Sequence, residues 1–136
     1  MPDLLADLPG FALRRAANAM MAELGSRLVA LDLRISDATV LLLVAGRTDM
    51  TSSDIGKVLE IQRANMVPLL NRLESAGLIG RKPIDRKSQA IILTAAGHTR
   101  LHDVRITTDE FERYLLSRIP EAHRSHLVPA LQALVD

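Results

Sequence analysis

The stretch from Thr51 to Leu93 constrains the fold more than any other part of this 136-residue chain. Thr51 with Asp54 three residues on reads as a capping box with Asp in place of Glu, opening a short helix through Leu59. A turn at Glu60-Ile61 leads to a second helical pattern, with Met66, Leu69, Leu70 and Leu73 on its inner face and Gly77 closing it. Leu78 to Lys82 and Gln89 to Leu93 have strand character, and Asp85 to Ser88 connects them. A compact helix pair followed by a charged β-hairpin suits DNA: the second helix can enter a major groove while the hairpin reaches phosphates or the minor groove.

Charge supports that reading. Between Gln62 and Lys87 stand six bases (Arg63, Arg72, Arg81, Lys82, Arg86, Lys87) and two acids (Glu74, Asp85), a local +4 in a chain whose net charge is only +1. Positive charge gathered on one segment is the electrostatic footprint of a phosphate-binding surface. The chain has no cysteine, which excludes disulfides, thiolate zinc sites and thiol redox sensing, and fits a reducing cytoplasm. Asp3 and Asp7 stand where a signal peptide would carry bases, and the longest apolar run, Val40 to Ala45, is too short to span a bilayer, so no membrane association is expected.

The flanks are helical. Leu13, Ala17, Met20, Leu24, Leu28 and Leu31 recur every three or four residues, predicting one long helix from about Pro9 to Leu31, with Gly25 a weak point. Ser36 is expected to cap a second helix running to Gly46, apolar nearly all round and therefore buried. Thr94 should cap a long helix whose Leu101, Val104, Thr108, Phe111 and Leu115 form a seam like that of a coiled coil, ended by Pro120. The last segment is helical with a break or kink from Pro129. The fold class expected is mainly α with a small β-hairpin: a winged helix-turn-helix over 35–94, flanked by helical dimerisation regions at 1–34 and 95–136. So short a chain has little core to cover two long terminal helices, and a closed two-fold dimer is the commonest solution.

Three segments resemble the MarR family of bacterial transcription regulators. They are Leu73-Glu74-Ser75-Ala76-Gly77-Leu78-Ile79, like the family's "LE..GLI"; Asp85-Arg86-Lys87-Ser88 at the wing tip; and Leu93-Thr94-Ala95-Ala96-Gly97, like its "LT..G". The resemblance covers nearly the whole chain. It implies a homodimer with a winged helix-turn-helix in each subunit, and a small anionic or phenolic ligand that binds between the DNA-binding and dimerisation regions and releases the DNA. The chain departs from the family at the second helix, where Gln62-Arg63-Ala64-Asn65-Met66-Val67-Pro68 replaces a Ser/Thr-rich start. If Gln62 caps that helix, Pro68 lies beyond the first turn and should bend it; if Asn65 caps it, Pro68 is tolerated at the third position. The reading taken is a bent helix starting near Gln62.

The candidate DNA contacts follow from placement. Gln62, Arg63 and Asn65 open the recognition helix, and their side chains suit adenine or guanine edges. Arg72 lies further along and could instead pair with Asp85 or Glu74. Arg86 is the leading wing contact, with Asp85 expected to orient its guanidinium and hold the tip, and Lys82, Lys87 and Ser88 are candidate phosphate contacts. Ser52, with Thr51 and Ser53, starts a helix whose N-terminus can bind phosphate, although capping alone explains Thr51. A ligand carboxylate could be held by Arg14, Arg15, Asn18 and Arg27 beside Phe11, Met20 and Met21, or those arginines could be solvated or paired at a dimer rim. His98 and His102, and His123 and His126, have helical spacing but no third or fourth ligand, so no metal or other cofactor is expected. The chain lacks G-x-S-x-G, P-loop, dinucleotide-binding and H-E-x-x-H motifs, which argues against an enzyme. The expected partners are double-stranded DNA with a near-palindromic operator, a second copy of the chain and a small-molecule effector. The expected function is a homodimeric, cytoplasmic, DNA-binding repressor, the alternative being a winged-helix protein-interaction module, for which a concentrated +4 has no use.

Overall fold

Pro9, with its fixed φ and no N–H to leave unpaired, starts α1 (Pro9–Leu28) in the computed structural model, which describes residues 3–136. Gly25 does not interrupt the helix. A 3-10 turn at Val29–Leu31 ends it, and Asp32 in the left-handed region (φ 55°) redirects the chain into α2 (Ile35–Val44). The cap of α2 is not Ser36, which lies inside the helix. Arg34 takes the cap position, and because its side chain has no acceptor the N-terminus is secured from the other direction: Asp37 Oδ2 accepts the Arg34 N–H at 2.8 Å. Val40, Leu41 and Val44 are buried, while Leu42 reaches the surface, so α2 is central without being covered all round.

The capping box at Thr51 and Asp54 forms in both directions, at 3.0 and 3.1 Å, and opens α3 (Ser52–Leu59). Glu60 in the left-handed region turns the chain into α4 (Arg63–Ser75), whose cap position is Gln62, with Pro68 inside the helix. A start at Asn65 is thereby excluded. Gly77, at φ 76°, ends the helix as expected. Strands β1 (Ile79–Pro83) and β2 (Gln89–Leu93) pair antiparallel from Ile79 opposite Leu93 to Pro83 opposite Gln89. The segment before α3 docks on this hairpin through Ile91 N–H to the Met50 carbonyl at 2.7 Å.

Thr94 caps α5 (Ala95–Arg118), and Pro120 follows its end. A 3-10 turn at Glu121–His123 then leads to α6 (Arg124–Gln132), with Pro129 inside it, so the terminal segment breaks ahead of Pro129 rather than at it. One core joins the elements. Leu28 of α1, Val40 and Leu41 of α2, Ile55 of α3, Met66 and Leu70 of α4, Ile91 of β2 and Val104 of α5 are all fully buried. The α5 seam is used inside the protomer: Leu101, Val104 and Phe111 are buried where α5 packs on α1 and α2. No residue of α6 is buried. No helix among the described residues is long and apolar enough to cross a membrane.

Candidate nucleic-acid interface

The three elements from α3 to the wing meet around Ser52. On one side an open groove of about 560 Å³ runs between the N-terminus of α3 and the wing tip, lined by Ser52, Ser53, Arg86, Lys87 and Ser88. On the other side a groove of about 490 Å³ separates α3 from the start of α4, lined by Ser52, Lys57 and Arg63. Ser52 borders both. Candidate residues more than thirty positions apart in sequence therefore form one continuous surface. Gln62 and Asn65 lie exposed at the start of α4 beside it, and Lys82 is exposed on β1.

The wing tip is built by Asp85, though not in the way the sequence implies. Its Oδ1 accepts the backbone N–H groups of Lys87 and Ser88, each at 2.8 Å, instead of holding the Arg86 guanidinium. These bonds, Lys87 first, pull the Asp85 carboxyl below its ordinary range. The tip is thus clasped through its backbone, and Arg86 stands exposed on it. In the first turn of α3 Asp54 is likewise shifted down, chiefly by the Thr51 N–H, so a carboxylate shares that turn with Ser52 and Ser53. That charge opposes an anion at the helix start, and Arg86 and Lys87 of the wing stand across the groove from it as cations.

Arg72 does not belong to this surface. It pairs neither with Asp85 nor with Glu74: its Nη2 donates to Asp37 Oδ1 of α2 at 2.6 Å, and Glu74 is taken by Arg81 at 3.2 Å. Lys57 is a surface residue that sequence patterning does not single out. A single base in the last turn of α3 is an ordinary solvated charge until α4 is set against it.

The ligand candidates on α1 are not gathered into an enclosed site. Arg14, Arg15 and Asn18 are exposed, Arg15 stacks 6.0 Å over Phe11, and the adjoining depression of about 330 Å³ is otherwise lined by alanines. Arg27 pairs with Glu23 at 2.9 Å and lies 5.0 Å over the Tyr114 ring. The described residues hold no group of three or more histidines and acids placed for a metal ion.

Comparison with known proteins gives a consistent account of this geometry. A family model described as a winged helix DNA-binding domain matches residues 33–97. No curated protein matches the chain significantly. Among solved structures, the transcriptional repressor CouR bound to a 23-mer DNA duplex is 27% identical, with a TM-score of 0.89 over 97% of this chain and 95% of that one. CouR of Rhodococcus jostii RHA1 bound to p-coumaroyl-CoA is 24% identical, with a TM-score of 0.84 over 98% of this chain and 95% of that one. A MarR-family transcriptional regulator from Rhodococcus sp. RHA1 is 22% identical, with a TM-score of 0.85 over 98% and 96%.

Proposed function

We propose that this chain, which belongs to the MarR family of winged-helix transcription regulators, is a DNA-binding repressor that acts as a homodimer and is released by a small aromatic or carboxylic ligand. It is a regulator and not an enzyme. The observation that carries the reading is the continuous surface around Ser52, where a helix start, Arg63, Lys57 and the wing residues Arg86 and Lys87 converge. Residues 35–94 form the DNA-binding unit in this reading, and 1–34 with 95–136 the dimerisation region. Gln62, Arg63 and Asn65 read bases in the major groove, while Ser52, Lys82, Arg86, Lys87 and Ser88 hold phosphates. Arg72 is held on Asp37 of α2 and takes no part in these contacts. A repressor of the same shape bound to a duplex supports the DNA reading, and its complex with p-coumaroyl-CoA supports an effector with an aromatic acyl group.

Selection from random duplexes followed by titration across a salt series tests this. Arg86→Ala should weaken binding to selected and random DNA alike. It should also flatten the dependence of log affinity on log salt, by roughly one unit for each phosphate no longer neutralised. Gln62→Ala and Asn65→Ala should instead relax preference at one or two positions per half-site, costing about 1–3 kcal/mol each. An unchanged affinity and salt slope in Arg86→Ala would remove the wing from the interface and favour the protein-interaction alternative.

A further inference from the structure

Met66, Leu69, Leu70 and Leu73 are buried and mark the inner face of α4. With about 3.6 residues per turn, the opposite face carries Ala64, Val67, Pro68 and Asn71, and all four are exposed. The first three are apolar, and Asn71 closes the stretch with a polar group. Val67, 55% exposed, is the one Val, Leu or Met of α4 left outside the core. Cations flank this stripe. Arg63, one turn before Val67, lines with Lys57 the groove between α3 and α4, and the wing carries Arg86 and Lys87. A partner that is a polyanion and also presents apolar groups matches both features. In the major groove of a duplex the apolar group on offer is the thymine 5-methyl. Side chains as short as Ala64, Val67 and Pro68 let a helix axis sit close to base edges. Val67, β-branched on a helix, is held near one χ1 rotamer, so packing it on a methyl costs little side-chain entropy.

We propose that Val67, with Ala64 and Pro68 beside it, is a specificity-determining contact that packs on a thymine 5-methyl group in each half-site. Gln62, Arg63 and Asn65, at the start and flank of the helix, can hydrogen-bond base edges. The stripe offers no side-chain donor or acceptor before Asn71, so it selects by apolar contact. A purine in the same place would turn its N7 toward carbon and lose its water without a replacement. The inference rests on the DNA-binding reading above and adds to it a class of base and the residue that reads it.

The test starts from a duplex that the wild type selects out of random sequence. Each thymine of a half-site is replaced in turn by deoxyuridine, which removes the methyl and keeps every hydrogen-bonding group of the base. At one or two positions per half-site the replacement should weaken wild-type binding by about fourfold, the equivalent of one buried methyl. The same replacements should change the affinity of Val67→Ala by less than about twofold, since the surface that packs on the methyl is gone. Val67 is exposed and alanine favours helix, so the variant should fold as the wild type does. It should also bind random duplex with unchanged affinity and salt slope, because no charge is removed. The proposal is overturned if no deoxyuridine replacement weakens the wild type, if the replacements weaken Val67→Ala equally, or if Val67→Ala loses affinity for random DNA as well. Those outcomes leave the regulator reading standing. A wild type that binds no duplex at all overturns both.

Discussion

Gly97 sits where the first turn of α5 passes the chain leaving α4. A Cβ there would run into the Leu78 carbonyl oxygen, which already accepts the Thr94 N–H at 3.1 Å. Thr94 closes the same junction from its side chain, donating to the Gly77 carbonyl at 2.5 Å and accepting the Gly97 N–H at 3.0 Å. Gly97→Ala is therefore expected to destabilise the fold by about 3 kcal/mol, the upper end of ordinary overpacking, because backbone and not a flexible side chain must move. Urea denaturation measures it, and a loss under about 1 kcal/mol would show that the junction yields. Asp85 carries a pH-dependent counterpart. Its carboxyl is lowered from 3.8 by the Lys87 and Ser88 amides, so the clasp is fully present above that value and is lost as pH falls through the lower folded value. Those two amide resonances should titrate together with a midpoint below 3.8, and a midpoint at or above it would mean that Asp85 does not hold the tip. Gly77, Thr94 and Gly97 were legible as motif positions, though the contact that makes them a unit was not. Arg72 stood out as a base with other expected partners, but its pairing with Asp37 gave no signal, because residues 35 apart meet only through the packing of α2 on α4.

At the scale of elements, local rules succeeded where a side chain acts on its own helix and failed where the cap was ambiguous. Thr51 with Asp54, Gly77 and Thr94 end or begin helices by bonds within three or four residues, which a sequence displays directly. Ser36 looked the better cap of α2, but Asp37 reaching back to Arg34 moved the start by two residues. Pro68 is the element-scale feature with the clearest consequence. It cannot donate to the Ala64 carbonyl, and its ring crowds that group, yet α4 continues to Ser75 because Met66, Leu69, Leu70 and Leu73 are buried on its inner face. Pro68→Ala should restore the bond and raise stability by about 1–3 kcal/mol. It should also weaken operator binding, because Gln62, Arg63 and Asn65 occupy the turn that Pro68 sets. Chemical denaturation and duplex titration of the same variant read both effects; a less stable Pro68→Ala would show that α4 is built around the proline.

Among the described residues of the whole molecule, apolar side chains stand exposed near the start and at the end of the chain. Periodicity pointed to the Leu101–Leu115 seam as apolar surface to be buried between subunits or within the terminal helical layer, and Leu101, Val104 and Phe111 are buried within the protomer, where α5 packs on α1 and α2. A pattern along one helix cannot tell an intramolecular partner from a second copy. The surface without a partner lies elsewhere, in Leu4, Leu5, Leu8 and Leu13 near the start and Val128, Leu131, Leu134 and Val135 at the end. Leu131 and Leu134 are 41% and 66% exposed, so replacing both with glutamate costs an isolated protomer little. In a closed two-fold dimer each such glutamate would be buried or would face its own copy, which is costly. Leu131→Glu with Leu134→Glu should therefore leave the helical spectrum intact and shift sedimentation at micromolar concentration from dimer to monomer. Operator affinity should fall by about 10²–10⁴-fold, because the second half-site would no longer be engaged at the high effective concentration of a linked pair. The two recognition helices of a dimer must also lie about 34 Å apart to meet successive major grooves, so operators with half-sites moved by half a turn should bind like random DNA. A wild type that sediments as a monomer, or a double variant that remains dimeric with full operator affinity, would place the interface elsewhere and leave the terminal leucines to another partner.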